Sequence, residues 1–306
     1  MKKTIAIVLA FVMALLLVGC GEQPAPKPTE YTIKTEEITY ASRGVEVPAT
    51  VCVPEGEGTF PLVVLCHGHG GDRNENTGHL TIAESLAKKG IITLRMDYPG
   101  CGKSTEDFAL NTMSNMIADT VAGLEYAKSN LPVDTDKIGL FGYSMGGRIV
   151  LQLLAEAKVD PSVVVLLAPA ADTDDLKNLF GGAENWEILK ADANAAAEGY
   201  VNFTTIYGQE QHLSKEWFAD IEAYAGSTLI DAAAKNYTGK PSLIIYAVDD
   251  AAVSPSVSKA VANALSSEVI TTPKDGHSYG FYSEEVEVFN TVVDGAVDFF
   301  VNSLSK

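Results

Sequence analysis

Cysteine is scarce in this chain, which has four among its 306 residues. Cys20 lies near the N-terminus, and the other three, Cys52, Cys66 and Cys101, are odd in number and occur in unrelated surroundings. Cys52 and Cys66 fall within apolar runs, where a small buried cysteine is common. The pattern therefore predicts neither a disulfide framework nor a cysteine-ligated zinc ion.

Positive charge is also scarce. Lys and Arg together number 22 against 40 Asp and Glu, which gives a formal net charge of −18 and a pI near 4.6. Binding to a phosphate backbone needs clustered Lys and Arg that displace counterions, so no nucleic acid is expected as a partner. The acidity is a solubility and surface property that indicates no particular substrate.

The first residues combine a basic start, Met1-Lys2-Lys3, with the apolar run Ile5 to Val18. The run is too short for a comfortable membrane span but has the length of a signal-peptide core. It ends in Leu17-Val18-Gly19-Cys20, which resembles the lipobox of bacterial lipoproteins. We therefore expect residues 1–19 to be a signal peptide that is cleaved before a lipid-modified Cys20. An ordinary secretory signal followed by a chance cysteine is the alternative.

Residues 20–30 then link that cysteine to a folded domain. Pro24, Pro26 and Pro28 favour an extended, semi-rigid tether. The N-terminus thus predicts an extracytoplasmic protein that is lipid-anchored to the bacterial cell membrane, which is its expected membrane partner.

Residues 31–306 are long enough for one large core, and their pattern indicates an α/β fold. As far as Pro54, alternating apolar residues around Gly44 predict an antiparallel strand pair. Continuous apolar runs then alternate with helical patterns, which is typical of a parallel sheet covered by helices on both faces. These runs are 62–66, 91–94, 138–141, 163–167 and 243–248. A last helix, with an apolar stripe from Val286 to Phe300, should dock on the sheet.

The alternation is interrupted at about residues 172–240. This segment holds both tryptophans, Trp186 and Trp217, together with several Phe and Tyr residues. We interpret it as a cap over the sheet edge at which the strands end, where open α/β sheets bind ligands. Its rings either contact a substrate or form the cap's own small core.

The motif Gly142-Tyr143-Ser144-Met145-Gly146 stands between an apolar run and a helical pattern. In that context G-x-S-x-G forms a sharp strand-to-helix turn that projects the serine hydroxyl from the sheet. Ser144 is therefore the candidate nucleophile. The NH of Met145 is a candidate donor to the oxyanion of a tetrahedral intermediate.

A serine nucleophile needs a general base, and the base needs an orienting carboxylate. Asp249 and Asp250 follow the last apolar run, and His277 follows a further helix and a short strand. His277 is the candidate base because no other histidine has this placement. His79 and His212 are interpreted as surface residues. The residues alone leave both aspartates open as the acid.

The segment His67-Gly68-His69-Gly70-Gly71 follows the first parallel strand, and its glycines let the backbone approach a substrate. The main-chain NH of His69 is the expected second oxyanion donor, and its imidazole is given no catalytic role. A metallohydrolase motif is not met, because Asp72 is one place late and a final histidine is missing. No metal site and no cofactor are expected.

Five motifs in order resemble the α/β-hydrolase superfamily, and more closely the bacterial feruloyl or cinnamoyl esterases. They are His67 to Glu75, Asp97 to Ser104, the Ser144 turn, Asp250 to Pro255, and Gly276-His277. The resemblance covers residues 31–306 and implies an α/β-hydrolase fold, with a mostly parallel central sheet, flanking helices and an inserted cap. It also implies that Asp250, in a D-x-x-V loop, is the acid. His69 departs from the bulky apolar residue of that subfamily.

The resemblance further implies a serine carboxylesterase that works through an acyl-serine intermediate without a cofactor. Feruloyl or cinnamoyl esters, either small molecules or linked to plant polysaccharide, are the implied substrates, and an aromatic cap suits a planar phenolic acid. A peptidase or acyltransferase with the same machinery is one alternative. A non-catalytic solute-binding lipoprotein is an alternative of another class. The oligomeric state stays open.

Overall fold

The computed structural model describes residues 30–205 and 208–305. The predicted signal peptide, Cys20 and the tether as far as residue 29 lie outside the described residues. Among the helices that are described, none combines the length and the apolar character needed to cross a lipid bilayer.

Strands and helices alternate along most of the described chain. The strands are β1 (Ile33–Ser42), β2 (Val45–Pro54), β3 (Phe60–Cys66), β4 (Ile92–Met96), β5 (Val133–Tyr143), β6 (Val163–Leu167), β7 (Tyr200–Thr204), β8 (Glu210–Ser214), β9 (Ser242–Ala247) and β10 (Glu268–Thr272). The α-helices are α1 (Gly78–Lys88), α2 (Met113–Asn130), α3 (Met145–Ala155), α4 (Thr173–Leu179), α5 (Gly182–Ala195), α6 (Lys215–Glu222), α7 (Thr228–Asn236), α8 (Pro255–Leu265) and α9 (Val286–Leu304).

Eight strands form one sheet in the order β1-β2-β4-β3-β5-β6-β9-β10. The pairs β1–β2 and β2–β4 are antiparallel, and all pairs from β4 to β10 are parallel. The turn between β1 and β2 has positive φ at Arg43 (51°) and Gly44 (85°), as in a type I′ hairpin. Every residue of β4, β6 and β9 is buried, as continuous apolar runs predict. The predicted α/β-hydrolase fold is confirmed.

The C-terminal helix α9 docks on the sheet through a stripe that differs slightly from the predicted one. Val292, Ala296 and Phe300 are buried as expected, but Val286 is 65% exposed. Val288 is buried in its place. Two residues along an α-helix correspond to about 200° of rotation, so Val286 and Val288 lie on opposite sides of the first turn.

The predicted insertion, 172–240, contains two kinds of element. Its first part comprises α4, α5, the separate two-stranded sheet β7–β8 and α6. In this part the rings of Phe180, Trp186, Trp217 and Phe218 pack on one another, with centroids 4.9–5.6 Å apart. These rings therefore form a core of the cap itself.

Helix α7, at the end of the same segment, packs against α3 and α8. The neighbouring strands β6 and β9 are parallel, and parallel neighbours need a crossover connection that is usually helical. Helix α7 is that crossover helix, so it belongs with the helices that flank the sheet. The part that covers the strand ends thus finishes with α6.

Phe300 is a large side chain of α9 that packs against β5 in the middle of the sheet. It is fully buried, and a Cβ on Gly139 of β5 would lie 2.8 Å from its ring. We predict that Phe300→Ala lowers the free energy of unfolding by about 3–5 kcal/mol, because a cavity replaces the ring. Phe299→Ala, at a half-buried neighbour, should have a clearly smaller effect. Urea unfolding measures both, and equal losses would contradict docking through Phe300.

Candidate active site

Ser144 occupies the turn between β5 and α3. Its φ of 53° and ψ of −114° are strained for an L-residue. The end of strand β6 stabilises this conformation. The Ser144 NH donates to the Leu167 carbonyl at 2.9 Å, and the Ser144 carbonyl accepts from the Ala170 NH at 3.0 Å. The turn is therefore fixed by backbone contacts to the neighbouring strand.

Two glycines of the turn allow close backbone contacts. A Cβ on Gly146 would lie 1.9 Å from the carbonyl oxygen of Cys66, the last residue of β3. A Cβ on Gly142 would lie 2.4 Å from the Gly146 carbonyl oxygen. Both distances are far below van der Waals contact with backbone atoms, so only glycine fits at these positions. The start of α3 thus lies directly against the end of β3.

The structure brings Ser144, His277 and Asp250 together in one hydrogen-bonded series. His277 Nε2 lies 2.8 Å from Ser144 Oγ, and His277 Nδ1 lies 2.8 Å from Asp250 Oδ2. A proton on Nδ1 that is donated to Asp250 leaves Nε2 free to accept the Ser144 proton. The neighbouring Asp249 has a different partner, because its Oδ1 accepts the Gly276 NH at 3.0 Å.

The Asp250 carboxylate is almost fully buried and accepts four hydrogen bonds. The NH groups of Ala252 and Val253 donate to Oδ1, and His277 and the Tyr279 hydroxyl donate to Oδ2. Burial alone raises the pKa of a carboxyl group, but these contacts, above all the one with His277, outweigh it and hold the pKa of Asp250 below its usual value. At neutral pH Asp250 is therefore a negative charge beside the imidazole.

Two tyrosines that the sequence did not reveal contact His277 and Asp250. The Tyr279 hydroxyl donates to Asp250 Oδ2 at 2.8 Å and accepts the Ala247 NH at 3.0 Å. The Tyr143 hydroxyl donates to the His277 carbonyl at 2.5 Å. Tyr279 has a left-handed backbone, φ 53°, which no residue pattern signals. Tyr143 occupies the first x of the G-x-S-x-G motif, a position at which the motif specifies no residue type.

The loop that carries His69 lies beside the nucleophile. A Cβ on Gly68 would lie 3.4 Å from the Cβ of Ser144. Among the described residues, no loop or turn hydrogen bond between backbone groups uses the NH of His69 or of Met145. Both predicted donors are therefore available to an oxygen bound next to Ser144.

His67, at the start of this loop, is a neutral structural residue. Its Nδ1 lies 2.8 Å from the Gly68 carbonyl, and its Nε2 lies 3.2 Å from the Tyr98 NH. The Tyr98 NH can only donate, so Nε2 accepts and Nδ1 carries the proton. Burial lowers the pKa of His67. With both ring nitrogens engaged, His67 has no free nitrogen for a metal, and no group of three or more ligating side chains in the described residues is placed to hold one.

The imidazole of His69 connects the loop to the cap. Its Nε2 lies 2.8 Å from Gln211 Oε1 in β8, and Gln209 Nε2 donates to the Gly70 carbonyl at 3.0 Å. Three aromatic rings surround it at centroid distances of 5.4–5.9 Å, those of Phe108, Phe180 and Trp217. Burial lowers the pKa of His69 to about 4, so the ring is neutral at neutral pH. The sequence predicted the position of His69 but not this contact.

Glu75 is a further buried group of the site that the sequence showed only as part of a family motif. Its Oε1 accepts the Gly68 NH, and its Oε2 accepts the Tyr282 hydroxyl. Burial raises the pKa of Glu75 to about 7. The sequence does not signal this buried carboxyl group, because glycines in a loop are equally explained by the backbone conformation that the loop needs.

The prediction that His79 is a surface residue is wrong. His79 lies at the start of α1, as expected, but it is fully buried and packs against three rings, those of Phe141, Tyr143 and Phe281. Burial holds its pKa well below the usual value. The signal was available, because His79 is in helical spacing with the buried Ile82 and Leu86. His212, in β8, is partly exposed and lies 2.8 Å from Asp107 Oδ1.

Substitution of each of the two neighbouring aspartates by asparagine tests which carboxylate orients His277. We predict that Asp250→Asn lowers the rate at which a fluorophosphonate labels Ser144 by about 10³- to 10⁴-fold, because the imidazole loses its acceptor and its tautomer. Asp249→Asn, the matched control, should change the rate little. Mass spectrometry of the labelled peptide measures both rates. A larger loss in Asp249→Asn would assign the role to Asp249.

Known protein families and sequences match the part of the chain that forms this site. A family model described as Hydrolase_4, serine aminopeptidase S33, matches residues 59–277. An uncharacterised 31.7 kDa protein of Escherichia coli is 31% identical over 140 residues, which are 46% of this chain and 48% of that protein. Esterase EstD of Thermotoga maritima is 30% identical over 130 residues, 41% of this chain and 31% of that protein. The matches thus span about half or less of these relatives.

The fold is shared with solved structures. Est1E from Butyrivibrio proteoclasticus with bound ferulic acid superposes with a TM-score of 0.67 at 22% identity, over 88% of this chain and 100% of that one. The family model covers well over half of the chain and includes Ser144, Asp250 and His277. The chain therefore belongs to the Hydrolase_4 family, serine aminopeptidase S33, and is a serine hydrolase of the α/β-hydrolase fold.

Proposed function

We propose that this protein is a carboxylesterase that cleaves ester bonds through an acyl-Ser144 intermediate. The observation that carries the proposal is the series Ser144–His277–Asp250, with 2.8 Å at both links. This geometry gives a serine hydroxyl the base that it needs at neutral pH. The similarity to the esterase EstD supports an ester rather than another acyl substrate.

Acylation follows from the positions of these groups. His277 Nε2 takes the proton of Ser144 Oγ as the oxygen adds to the ester carbonyl carbon. The resulting oxyanion accepts hydrogen bonds from the NH groups of His69 and Met145. When the intermediate collapses, the carbon–oxygen bond to the alcohol breaks. The alcohol leaves with the proton from His277, and the acyl group stays on Ser144.

Deacylation repeats the same steps with water. His277 removes a proton from a water molecule, whose oxygen adds to the acyl carbon, and the oxyanion again faces the two NH groups. Collapse breaks the bond to Ser144 Oγ, which takes the proton back from His277. A carboxylic acid leaves. Asp250 stabilises the imidazolium in both halves of the cycle because it is a buried negative charge at hydrogen-bond distance.

We further propose feruloyl or cinnamoyl esters as substrates. Phe108, Phe180 and Trp217 surround the imidazole of His69, and the main-chain NH of the same residue is the proposed oxyanion donor. We therefore expect an acyl group on Ser144 to lie near an aromatic wall formed by these three rings. Such a wall favours a planar ring. The related fold of Est1E holds ferulic acid, which supports the same substrate class. Phe180 and Trp217 also belong to the core of the cap, so their contact with His69 is the part of that core that bears on specificity.

The description of the family as serine aminopeptidases favours a second candidate, hydrolysis of an N-terminal peptide bond. The same serine, base and oxyanion donors serve amide cleavage, in which the leaving group is an amine. The two functions differ in the substrate and not in the residues that react. Kinetic comparison on matched substrates therefore separates them.

We also propose that the protein is lipid-anchored outside the cytoplasmic membrane through Cys20. The support is the sequence Leu17-Val18-Gly19-Cys20 after an apolar run, followed by a proline-rich tether. A tether of this kind keeps a folded domain at a distance from the membrane while leaving its substrate site open.

A substrate panel tests the reaction. We predict that the wild type hydrolyses p-nitrophenyl butyrate and methyl ferulate, and that Ser144→Ala lowers kcat for both by about 10⁴-fold or more. A higher kcat/KM for methyl ferulate than for methyl butyrate, which has the same leaving group, supports the aromatic acyl site, and a strong preference for methyl butyrate rejects it. Faster release of p-nitroaniline from leucine p-nitroanilide than hydrolysis of the esters would identify an aminopeptidase instead of an esterase. Equal activity in wild type and Ser144→Ala would reject the mechanism. No activity in either protein is the result that a non-catalytic binding protein predicts.

Metabolic labelling tests the anchor. In a bacterial host that processes lipoproteins, we predict that the wild type incorporates radiolabelled palmitate and fractionates with membranes. Cys20→Ser should lose the label, because the thiol that accepts the lipid is gone. Cys101→Ser, a change at a buried cysteine of the domain, is the control and should keep it. A label that persists in Cys20→Ser, or is absent from the wild type, contradicts lipidation at this position.

A further inference from the structure

Glu75 is a buried carboxyl group that the reaction steps do not use. It is 1% exposed and lies inside the loop His67–Gly71. A Cβ on Gly71 would lie 2.5 Å from Glu75 Oε1, and a Cβ on Gly68 would lie 3.2 Å from it. The glycines of the loop therefore make room for this carboxyl group as well as for a substrate.

Gly68 is held at both of its backbone groups. Its NH donates to Glu75 Oε1, and its carbonyl accepts from His67 Nδ1 at 2.8 Å and from the Gly71 NH at 3.2 Å. In a trans peptide the C=O of one residue and the N–H of the next point in opposite directions. The His69 NH shares its peptide with the Gly68 carbonyl. Because His67 Nδ1 and the Gly71 NH hold the Gly68 carbonyl toward the inside of the loop, the His69 NH points to the outside of the loop.

Glu75 is itself held in place by its surroundings. Glu75 and Asn76 have φ values of 44° and 57°, a strained conformation that persists only where other contacts fix it. Asn76 Nδ2 donates to the Phe281 carbonyl at 2.6 Å. Tyr282, which follows Phe281, donates its hydroxyl to Glu75 Oε2. These partners lie a few residues after His277. One set of hydrogen bonds thus joins the loop of the base to the loop of the oxyanion donor.

We propose that Glu75 is a positioning residue for catalysis, which holds Gly68 so that the His69 NH points to the oxyanion, with Tyr282 supporting the carboxyl group. The proposal rests on the proposed function of Ser144 and deepens it. Glu75 itself makes no contact with substrate.

The charge of Glu75 fits this role. Burial raises its pKa to about 7, so the neutral acid is present near neutral pH. Both forms have an oxygen that accepts the Gly68 NH. The neutral form also avoids a second negative charge close to the oxyanion, where like charges repel. A glutamine at this position keeps a neutral oxygen acceptor and should replace the acid.

Three variants separate positioning from stability. Glu75→Gln keeps an acceptor for the Gly68 NH, Glu75→Ala removes it, and Tyr282→Phe removes only the supporting hydroxyl. Tyr282 is half exposed, so Tyr282→Phe is expected to fold even if Glu75→Ala does not.

Two control variants match these changes at positions away from the site. Asp119→Ala removes another buried carboxylate, which pairs with Arg43. Tyr237→Phe removes another buried hydroxyl, which donates to the Pro241 carbonyl. Both should leave kcat of the folded protein unchanged.

The expected result is a loss in kcat with KM almost constant, because contacts to the oxyanion form in the transition state. For p-nitrophenyl butyrate we expect kcat to fall about 30-fold in Glu75→Ala, about 5-fold in Tyr282→Phe and less than about 3-fold in Glu75→Gln. Affinity for a trifluoromethyl ketone, which forms an oxyanion on Ser144, should fall by the same factors. The rate of fluorophosphonate labelling should follow the same order.

Several outcomes overturn the proposal. They are wild-type rates in Glu75→Ala or Tyr282→Phe, a Glu75→Gln variant as impaired as Glu75→Ala, and equal losses in the control variants. Ketone affinity that stays constant while kcat falls also overturns it. If the wild type hydrolyses no ester but Ser144 is still labelled, the esterase function fails while the labelling rates still decide the role of Glu75. No labelling of Ser144 rejects both.

Discussion

The backbone contact between the start of α3 and the end of β3 determines the geometry of the whole site. Cys66 ends β3 and directly precedes the oxyanion loop, whereas Gly146 lies two residues after the nucleophile. A Cβ on Gly146 would lie only 1.9 Å from the Cys66 carbonyl oxygen, so the two segments pack against each other with no room for a side chain between them. Packing of the main chain therefore brings the segments that carry the two predicted oxyanion donors together beside Ser144. The side chains of the triad then complete a geometry that the backbone has set.

Electrostatics inside the site follow from burial. Asp250 is ionised because four donors surround it, while burial lowers the pKa of His67, His69 and His79 and keeps them neutral. The imidazole of His277 therefore faces one strong negative charge and no competing positive charge from neighbouring histidines. In a low-dielectric interior such a pairing is stronger than it would be in water. Buried aromatic rings of the cap contribute to this environment because they exclude water from the side of His69.

The sequence predicted what local rules specify. Apolar runs located the parallel strands, and because such strands end at one sheet edge, residues as distant as Ser144 and His277 were expected to meet there, where the structure places them. Tyr279 was missed and Glu75 was seen only as part of a motif, because their contacts depend on left-handed loop conformations and on tertiary structure. His79 was misjudged because a polar residue on the inner face of a helix was assumed to be exposed. Lipidation of Cys20 stays a prediction, since that segment lies outside the described residues.

Hydrogen bonds from β8 and its neighbouring loop join the cap to the proposed oxyanion loop, His67–Gly71. Gln211 contacts the imidazole of His69, and Gln209 contacts the Gly70 carbonyl. A motion that lifted the hairpin would break contacts on His69, the proposed oxyanion donor, so access to the site and competence for reaction would be linked. Engineering of this fold by exchange of caps between homologues will consequently change turnover together with substrate fit, unless the two glutamines are transferred with the hairpin.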